Sequence, residues 1–328
     1  MNEIMLRGTH VEIGREVGAQ LRAAGEVLPA ISAEQARSTE SLIRQISDRI
    51  PNLLDEMRGI AEGGGYDELA VQCYSLALGI VPACTVIAVS GERTATGRTL
   101  FGRNYDAGSK WAEFTLYRTY PVDGYSHIGC CYDLLVGRED GVNEAGLAMA
   151  YTGVHGRYTS RPGVWDHIPV RVVLEECATV DEAAEVIRGL PHLYTKNFLV
   201  ADAAGAVAVI EAGQEGVSVV RSRDGFGAIT NHFVAEEMLA YNDWAKIPAN
   251  SVHRLEVADR WRDAAAEGDR PPSRESLMQL LSDTERGVRS ELSSEFTTVW
   301  SWVAELGERR IHLCDRLPEP NAYRVCDF

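Results

Sequence analysis

The chain is poor in cysteine, proline and phenylalanine (7, 12 and 7 of 328 residues) and has no dense Lys/Arg run. Each shortage closes a class of function. The cysteines, at 73, 84, 130, 131, 177, 314 and 326, are odd in number and contain no C-x-x-C pair, which argues against a disulfide scaffold and a zinc ribbon. Most of them read as small buried hydrophobes in a reducing compartment. The histidines show no H-x-x-x-H or carboxylate spacing suited to zinc. With 32 Lys+Arg against 48 Asp+Glu, the net charge of −16 repels phosphate backbones, so no nucleic-acid partner is expected. Residues 1–18 mix polar and charged residues among the apolar ones, and no apolar run is long enough for a membrane span or a secretory signal. No membrane partner is expected, and the expected compartment is the cytoplasm. What is present is ordinary for a globular protein: 45% hydrophobic and 24% charged residues, in a length that fits one large or two modest domains.

The first eighty residues read as helical. Leu42, Ile43, Ile46, Ile50, Leu53, Leu54, Met57 and Ile60 recur every three or four positions, interrupted by Pro51 and stopped by Gly63, Gly64 and Gly65. No Gly-Lys-Ser/Thr follows that glycine triplet, so it is not a phosphate loop. Leu69, Cys73, Leu76 and Ala77 mark another short helix before Pro82. The texture changes there. Strand-like runs follow at 85–90, 99–104, 114–120, 146–154, 197–200, 206–211, 217–221, 227–230, 297–306 and 311–314. Helices are expected at 169–176, 179–190 (opened by the Thr179/Glu182 capping box), 251–265 and 273–282. Strands without strict helix alternation point to a layered α+β fold rather than a doubly wound parallel sheet. The shift near residue 83 is the single candidate boundary.

Four short segments carry chemistry. Cys84 opens the first strong strand in Pro82-Ala83-Cys84-Thr85, and the next strand delivers Gly102-Arg103-Asn104-Tyr105-Asp106. Gly141-Val142-Asn143-Glu144-Ala145-Gly146-Leu147 reads as a hairpin tip, and Gly227 to Thr230 ends in Asn231-His232. Each has a plain reading: a packed cysteine, an exposed Arg–Asp pair, asparagines that tolerate turns, a packed or surface histidine. The six tryptophans suit core or pocket-wall positions.

Taken together and in this order, these segments resemble the isopenicillin N acyltransferase (acyl-CoA:6-aminopenicillanic acid acyltransferase) family of N-terminal nucleophile hydrolases, relatives of the conjugated bile acid hydrolases. The opening Arg7-Gly8-Thr9-His10 to Gly18 and the closing Phe296-Thr-Thr-Val-Trp300-Ser are also similar to that family. The resemblance implies a four-layer αββα sandwich of two antiparallel sheets at 84–328, preceded by a helical leader at 1–83. It implies self-cleavage before Cys84, freeing an α-amine whose reference pKa of about 7.7–8.0 suits a general base for the thiol beside it. Cys84 would attack an amide or thioester carbonyl of a small acylated amine, giving an acyl-thioester. Arg103 would favour the thiolate, Asp106 would orient the ammonium, Asn231 would donate to the oxyanion, and Asn143 would add a further hydrogen bond. The family's distal arginine is matched to Arg286 or Arg289. No cofactor and no metal are implied. The cut leader is expected to stay bound as a partner, and a homo-oligomer is compatible with the reading. One departure is Ala83, where the family mostly carries glycine. It keeps a rival in view, a non-catalytic ligand-binding relative with an uncut Ala83–Cys84 bond. A second rival is a conventional cysteine protease with His232 as base.

Overall fold

In a computed structural model, which describes every residue except 78–81, 109–112, 133–135, 157–160, 269, 286 and 294–295, the chain starts as a strand, β1 (Asn2–Gly8), where helix was expected. The strand exists because of a distant partner: it pairs in parallel with residues 115–121, from Asn2↔Thr115 to Gly8↔Pro121. Tertiary pairing of this kind overrides local propensity. Four helices follow: α1 (His10–Ala23), α2 (Ala33–Ile46), α3 (Pro51–Gly64) and α4 (Glu68–Ala77). Pro51 therefore separates two helices and occupies the first turn of the second, where its missing N–H costs nothing. Gly65 closes α3 at φ 70°, in the left-handed region.

The remainder alternates strands and helices in blocks. β2 (Thr85–Val89), β3 (Leu100–Gly108), β4 (Thr115–Pro121), β5 (His127–Cys131), β6 (Asp140–Asn143) and β7 (Ala148–Gly153) precede α5 (His167–Glu176) and α6 (Val180–Gly189). The Thr179/Glu182 capping box opens α6 as expected. Then come β8 (Lys196–Ala201), β9 (Val207–Gly213), β10 (Gly216–Arg221), β11 (Phe226–Ile229), α7 (Ser251–Glu267), α8 (Arg274–Ser282), β12 (Glu291–Ser293), β13 (Phe296–Glu305), β14 (Arg310–Cys314) and β15 (Arg324–Asp327).

These strands form two sheets. One has the order β1-β4-β5-β6-β7-β8-β9-β10; the other runs β11-β2-β3-β13-β14-β15, with β12 beside β13. Apart from β1/β4, the pairings are antiparallel. The burial pattern sorts the layers. One core holds Val86, Ala88, Phe101, Tyr105, Trp300 and Trp302 of the second sheet against Leu116, Ile128, Val142, Ala150 and Leu199 of the first. Further cores lie between the first sheet and α1 to α6, and between the second sheet and α7 and α8. The result is a four-layer αββα sandwich. Residues 1–83 are built into it, supplying an edge strand and most of one helical layer.

Candidate active site

The site forms at the start of β2 and the end of β3. The two strands pair antiparallel, Thr85↔Asn104 and Val86↔Arg103, and the Ala83 N–H donates to the Asp106 carbonyl at 3.0 Å, carrying the ladder one step further. Alternation then sorts the side chains. Cys84, Val86, Phe101 and Tyr105 line the space between the sheets, and Arg103 shares that face. Asn104 and Asp106 point the other way: Asn104 donates to the Leu281 carbonyl of α8, while Asp106 accepts from the hydroxyls of Ser290 and Thr298, each at 2.6 Å. An irregularity in β13 between Thr298 and Trp300 lets Thr298 reach Asp106 while Trp300 stacks on Tyr105 at 3.8 Å between centroids. A bulge re-aims side chains in this way.

Cys84 is completely buried, and its Sγ accepts from Arg103 Nη2 at 2.8 Å. Arg103 is itself fully buried and balanced in charge by Asp140, whose Oδ2 lies 2.9 Å from Nη1. Trp300 Nε1 (3.0 Å) and the Cys130 N–H (3.2 Å) hold the Asp140 carboxylate in turn. Removal from water pushes the Cys84 thiol up to about 12, and the opposing pull of Arg103 does not offset it. With the Ala83–Cys84 bond intact, Cys84 is therefore a neutral thiol at neutral pH. Nearby, burial raises the Glu139 carboxyl to about 8, against the Tyr151 hydroxyl and Arg103, which favour its charged form.

On the other side of the strand end, Arg254 of α7 ties the parts together. Its Nη1 donates to the Cys84 carbonyl (2.5 Å) and the Thr85 hydroxyl (2.6 Å), its Nη2 to Asn231 Oδ1 (2.7 Å), and Nη1 lies 3.8 Å from Asp106 Oδ2. That fixes the Asn231 amide: Nδ2 donates to the Pro82 carbonyl (2.9 Å) and the Gly153 carbonyl (2.8 Å). The loop carrying Asn231 is pinned as well. Thr152 and Asn197 donate to the Thr230 carbonyl, and the Asn231 N–H donates to Ser251 Oγ at 2.8 Å.

Four of the five expected site residues, Cys84, Arg103, Asp106 and Asn231, are thus brought together. Asn143 is placed elsewhere. Its neighbours Asp140 and Val142 face the inter-sheet core, so Asn143 faces α5, donating to the Leu174 and Cys177 carbonyls at 3.1 and 2.7 Å and accepting from the Leu147 N–H. His232 turns its Nδ1 to Ser251 Oγ (2.8 Å) and Thr230 Oγ1 (3.2 Å), and its ring packs beside Trp244. Arg286 lies outside the described residues, and Arg289 donates to the Pro318 carbonyl. The second arginine at the site, beside Arg103, is Arg254. No motif marks it in the sequence, although a signal exists: Ser251, Arg254, Val257 and Ala258 share one buried helical face, an unusual seat for a guanidinium. Asp140, the counter-charge of Arg103, is likewise outside the motif residues singled out above. Among the described residues, no group of three or more His, Cys, Asp or Glu is placed to hold a metal ion, and no helix is long and apolar enough to cross a membrane.

Comparison with known proteins bears on the family and the fold. The family described as acyl-coenzyme A:6-aminopenicillanic acid acyl-transferase matches residues 93–319. Among solved structures, a mutant of conjugated bile acid hydrolase from Clostridium perfringens is similar at TM-score 0.54 and 17% identity, covering 75% of this chain and 92% of that one. Penicillin V acylase from Agrobacterium tumefaciens is similar at TM-score 0.52 and 19% identity, covering 75% and 86%. At these identities the likeness is one of fold, that of the N-terminal nucleophile hydrolases.

Proposed function

Because this chain belongs to the acyl-coenzyme A:6-aminopenicillanic acid acyl-transferase family, we propose that it is a cysteine N-terminal nucleophile enzyme. It cuts itself between Ala83 and Cys84, then cleaves or forms the amide of a small acylated amine through a thioester on Cys84. The observation that carries this reading is the 2.8 Å contact of Arg103 Nη2 with Cys84 Sγ, at a strand end where Asp106, Asn231 and Arg254 grip the peptide on both sides of the cysteine nitrogen.

The chemistry needs few parts. In the cut, the sulfur adds to the Ala83 carbonyl, the C–N bond breaks, and the thiol proton passes to the departing nitrogen. Water then hydrolyses the thioester, leaving an α-amine on Cys84. That amine serves as general base toward its own thiol, so a separate catalytic histidine is unnecessary. Arg103 favours the thiolate. Asp106, with Ser290 and Thr298 on its oxygens, anchors the α-ammonium. Asn231 turns its other Nδ2 hydrogen, which faces the Gly153 carbonyl while the Ala83–Cys84 bond is intact, toward the oxyanion, a donor whose loss typically costs roughly 10²–10³ in rate. Arg254 holds Asn231 and the Cys84 carbonyl in register as a positioning residue. Asn143 has no part in the chemistry; it fastens β6 to α5.

Intact-mass measurement tests the cut. The purified wild type should appear as two polypeptides divided before Cys84, and Cys84→Ala should remain whole and without turnover. An uncut wild type, or an active Cys84→Ala, overturns the proposal; the first outcome would favour a ligand-binding relative.

A further inference from the structure

The residues just ahead of Cys84 are held as a bound ligand is held. The Pro82–Ala83 peptide is gripped at both ends, its carbonyl by Asn231 Nδ2 at 2.9 Å and the Ala83 N–H by the Asp106 carbonyl at 3.0 Å. Both residues are buried, Ala83 with 4% of its surface exposed. The ladder of β2 on β3 continues through them, Thr85↔Asn104 being followed by the Ala83–Asp106 bond, so the segment adds to the edge of β3 as an extended peptide does.

From this we infer that the enzyme's acyl donor is an N-acylated α-aminoacyl group, a short peptidyl unit with a small side chain next to the scissile carbonyl. The inference rests on Cys84 being the nucleophile, as proposed above. Self-cleavage and turnover then share one intermediate. When sulfur displaces the Cys84 nitrogen from Ala83, the species formed is an acyl-enzyme whose acyl group is the leader's own Pro82-Ala83 end. A substrate acyl group bonded to the same sulfur occupies the same track once that end has been released. There it finds one acceptor and one donor spaced for a single amide: the Asp106 carbonyl for its N–H, and Asn231 Nδ2 for the carbonyl one residue upstream.

Fluorogenic amides of aminomethylcoumarin separate the contributions. N-acetyl-prolyl-alanyl-aminomethylcoumarin supplies both groups. Its analogue with lactate in place of alanine lacks only the N–H, and butanoyl-aminomethylcoumarin lacks both. Leaving a buried acceptor unpaired is costly, so kcat/KM should fall at least about tenfold from the first compound to the second and further to the third. p-Nitrophenyl acetate, read by mass as acetylation of Cys84, reports the nucleophile independently. Cys84-dependent cleavage of the butanoyl amide as fast as the peptidyl one overturns the inference and leaves the proposed function standing. Cutting before Cys84 with acetylation, but no turnover of the peptidyl amide, does the same. An uncut chain whose Cys84 stays unacetylated removes the proposed function and the inference with it.

Discussion

Glu139 shows what a single buried carboxyl does to the pH response. Its value of about 8, against an ordinary 4.5, means that the folded state binds a proton the unfolded chain gives up. The stabilisation associated with this proton is complete below about 4.5 and is lost as pH rises through 8, a change of order a few kcal/mol. Glu139→Gln should therefore lose less melting temperature than the wild type between pH 5 and pH 8, while keeping an amide partner for the Tyr151 hydroxyl. An unchanged pH slope would contradict this account. Residue-scale chemistry is largely legible in the sequence where it sits in short motifs: Cys84, Arg103, Asp106 and Asn231 lie at strand ends within a few residues of a recognisable pattern. Arg254 is not legible in that way, because a helix face is a spatial fact and Arg260 and Arg262 look alike along the chain. Asn143 is drawn to the site by its motif, although the two-residue period of β6 directs it to the opposite face.

At the scale of elements, α1 and α3 meet through glycines. A Cβ on Gly14 would lie 2.0 Å from the Glu56 carbonyl oxygen, on Gly18 2.2 Å from that of Ile60, on Gly59 2.3 Å from that of Val11, and on Gly63 2.2 Å from that of Arg15. The spacing of four residues on both helices lets the two backbones touch. Alanine is favoured over glycine in a helix interior by about 1 kcal/mol, yet a clash with backbone costs typically 1–3 kcal/mol or more. The clash wins. Gly59→Ala should lower the melting temperature by a few degrees, whereas Gly216→Ala, whose Cβ meets nothing within 4 Å, should leave it almost unchanged. Equal behaviour of the two variants would show that the helices can move apart freely. This packing explains Gly14 and Gly18 of the opening segment, which motif reading could only match. The helices themselves announce their presence through caps and periodicity, but β1 does not, since its partner begins at Thr115.

For the whole molecule, the proposed cut raises the question of what would hold residues 1–83 to the rest. Three bonds of different kind do so. β1 is paired with β4 along its length, and the helices share a core with Tyr117, Ile168 and Val172. A buried ionic cluster crosses the seam: Arg171 of α5 grips Glu56 of α3 (2.7 Å) and Glu175 (2.6 Å), and His10 of α1 lies 3.0 Å from Glu175. Breaking one partner from such a buried pair is strongly destabilising, roughly 3–5 kcal/mol. Cut as proposed, the two polypeptides should elute together on gel filtration without denaturant and unfold in one transition. Separate elution would mean that this seam is weaker than its contacts imply. The boundary near residue 83 is read from a change in texture, and texture says nothing about a strand lent across it.

The groups around Cys84 also carry a clock. Asn231, Arg254, Ser290 and Thr298 all follow it by well over a hundred residues, and each hydrogen-bonds to the strand end. A nascent polypeptide still on the ribosome has the sulfur and the bond to be broken long before it has the groups that align them. Scission of the proposed kind thus waits until residue 298 has been made and folded into place, and a product truncated ahead of it should stay whole.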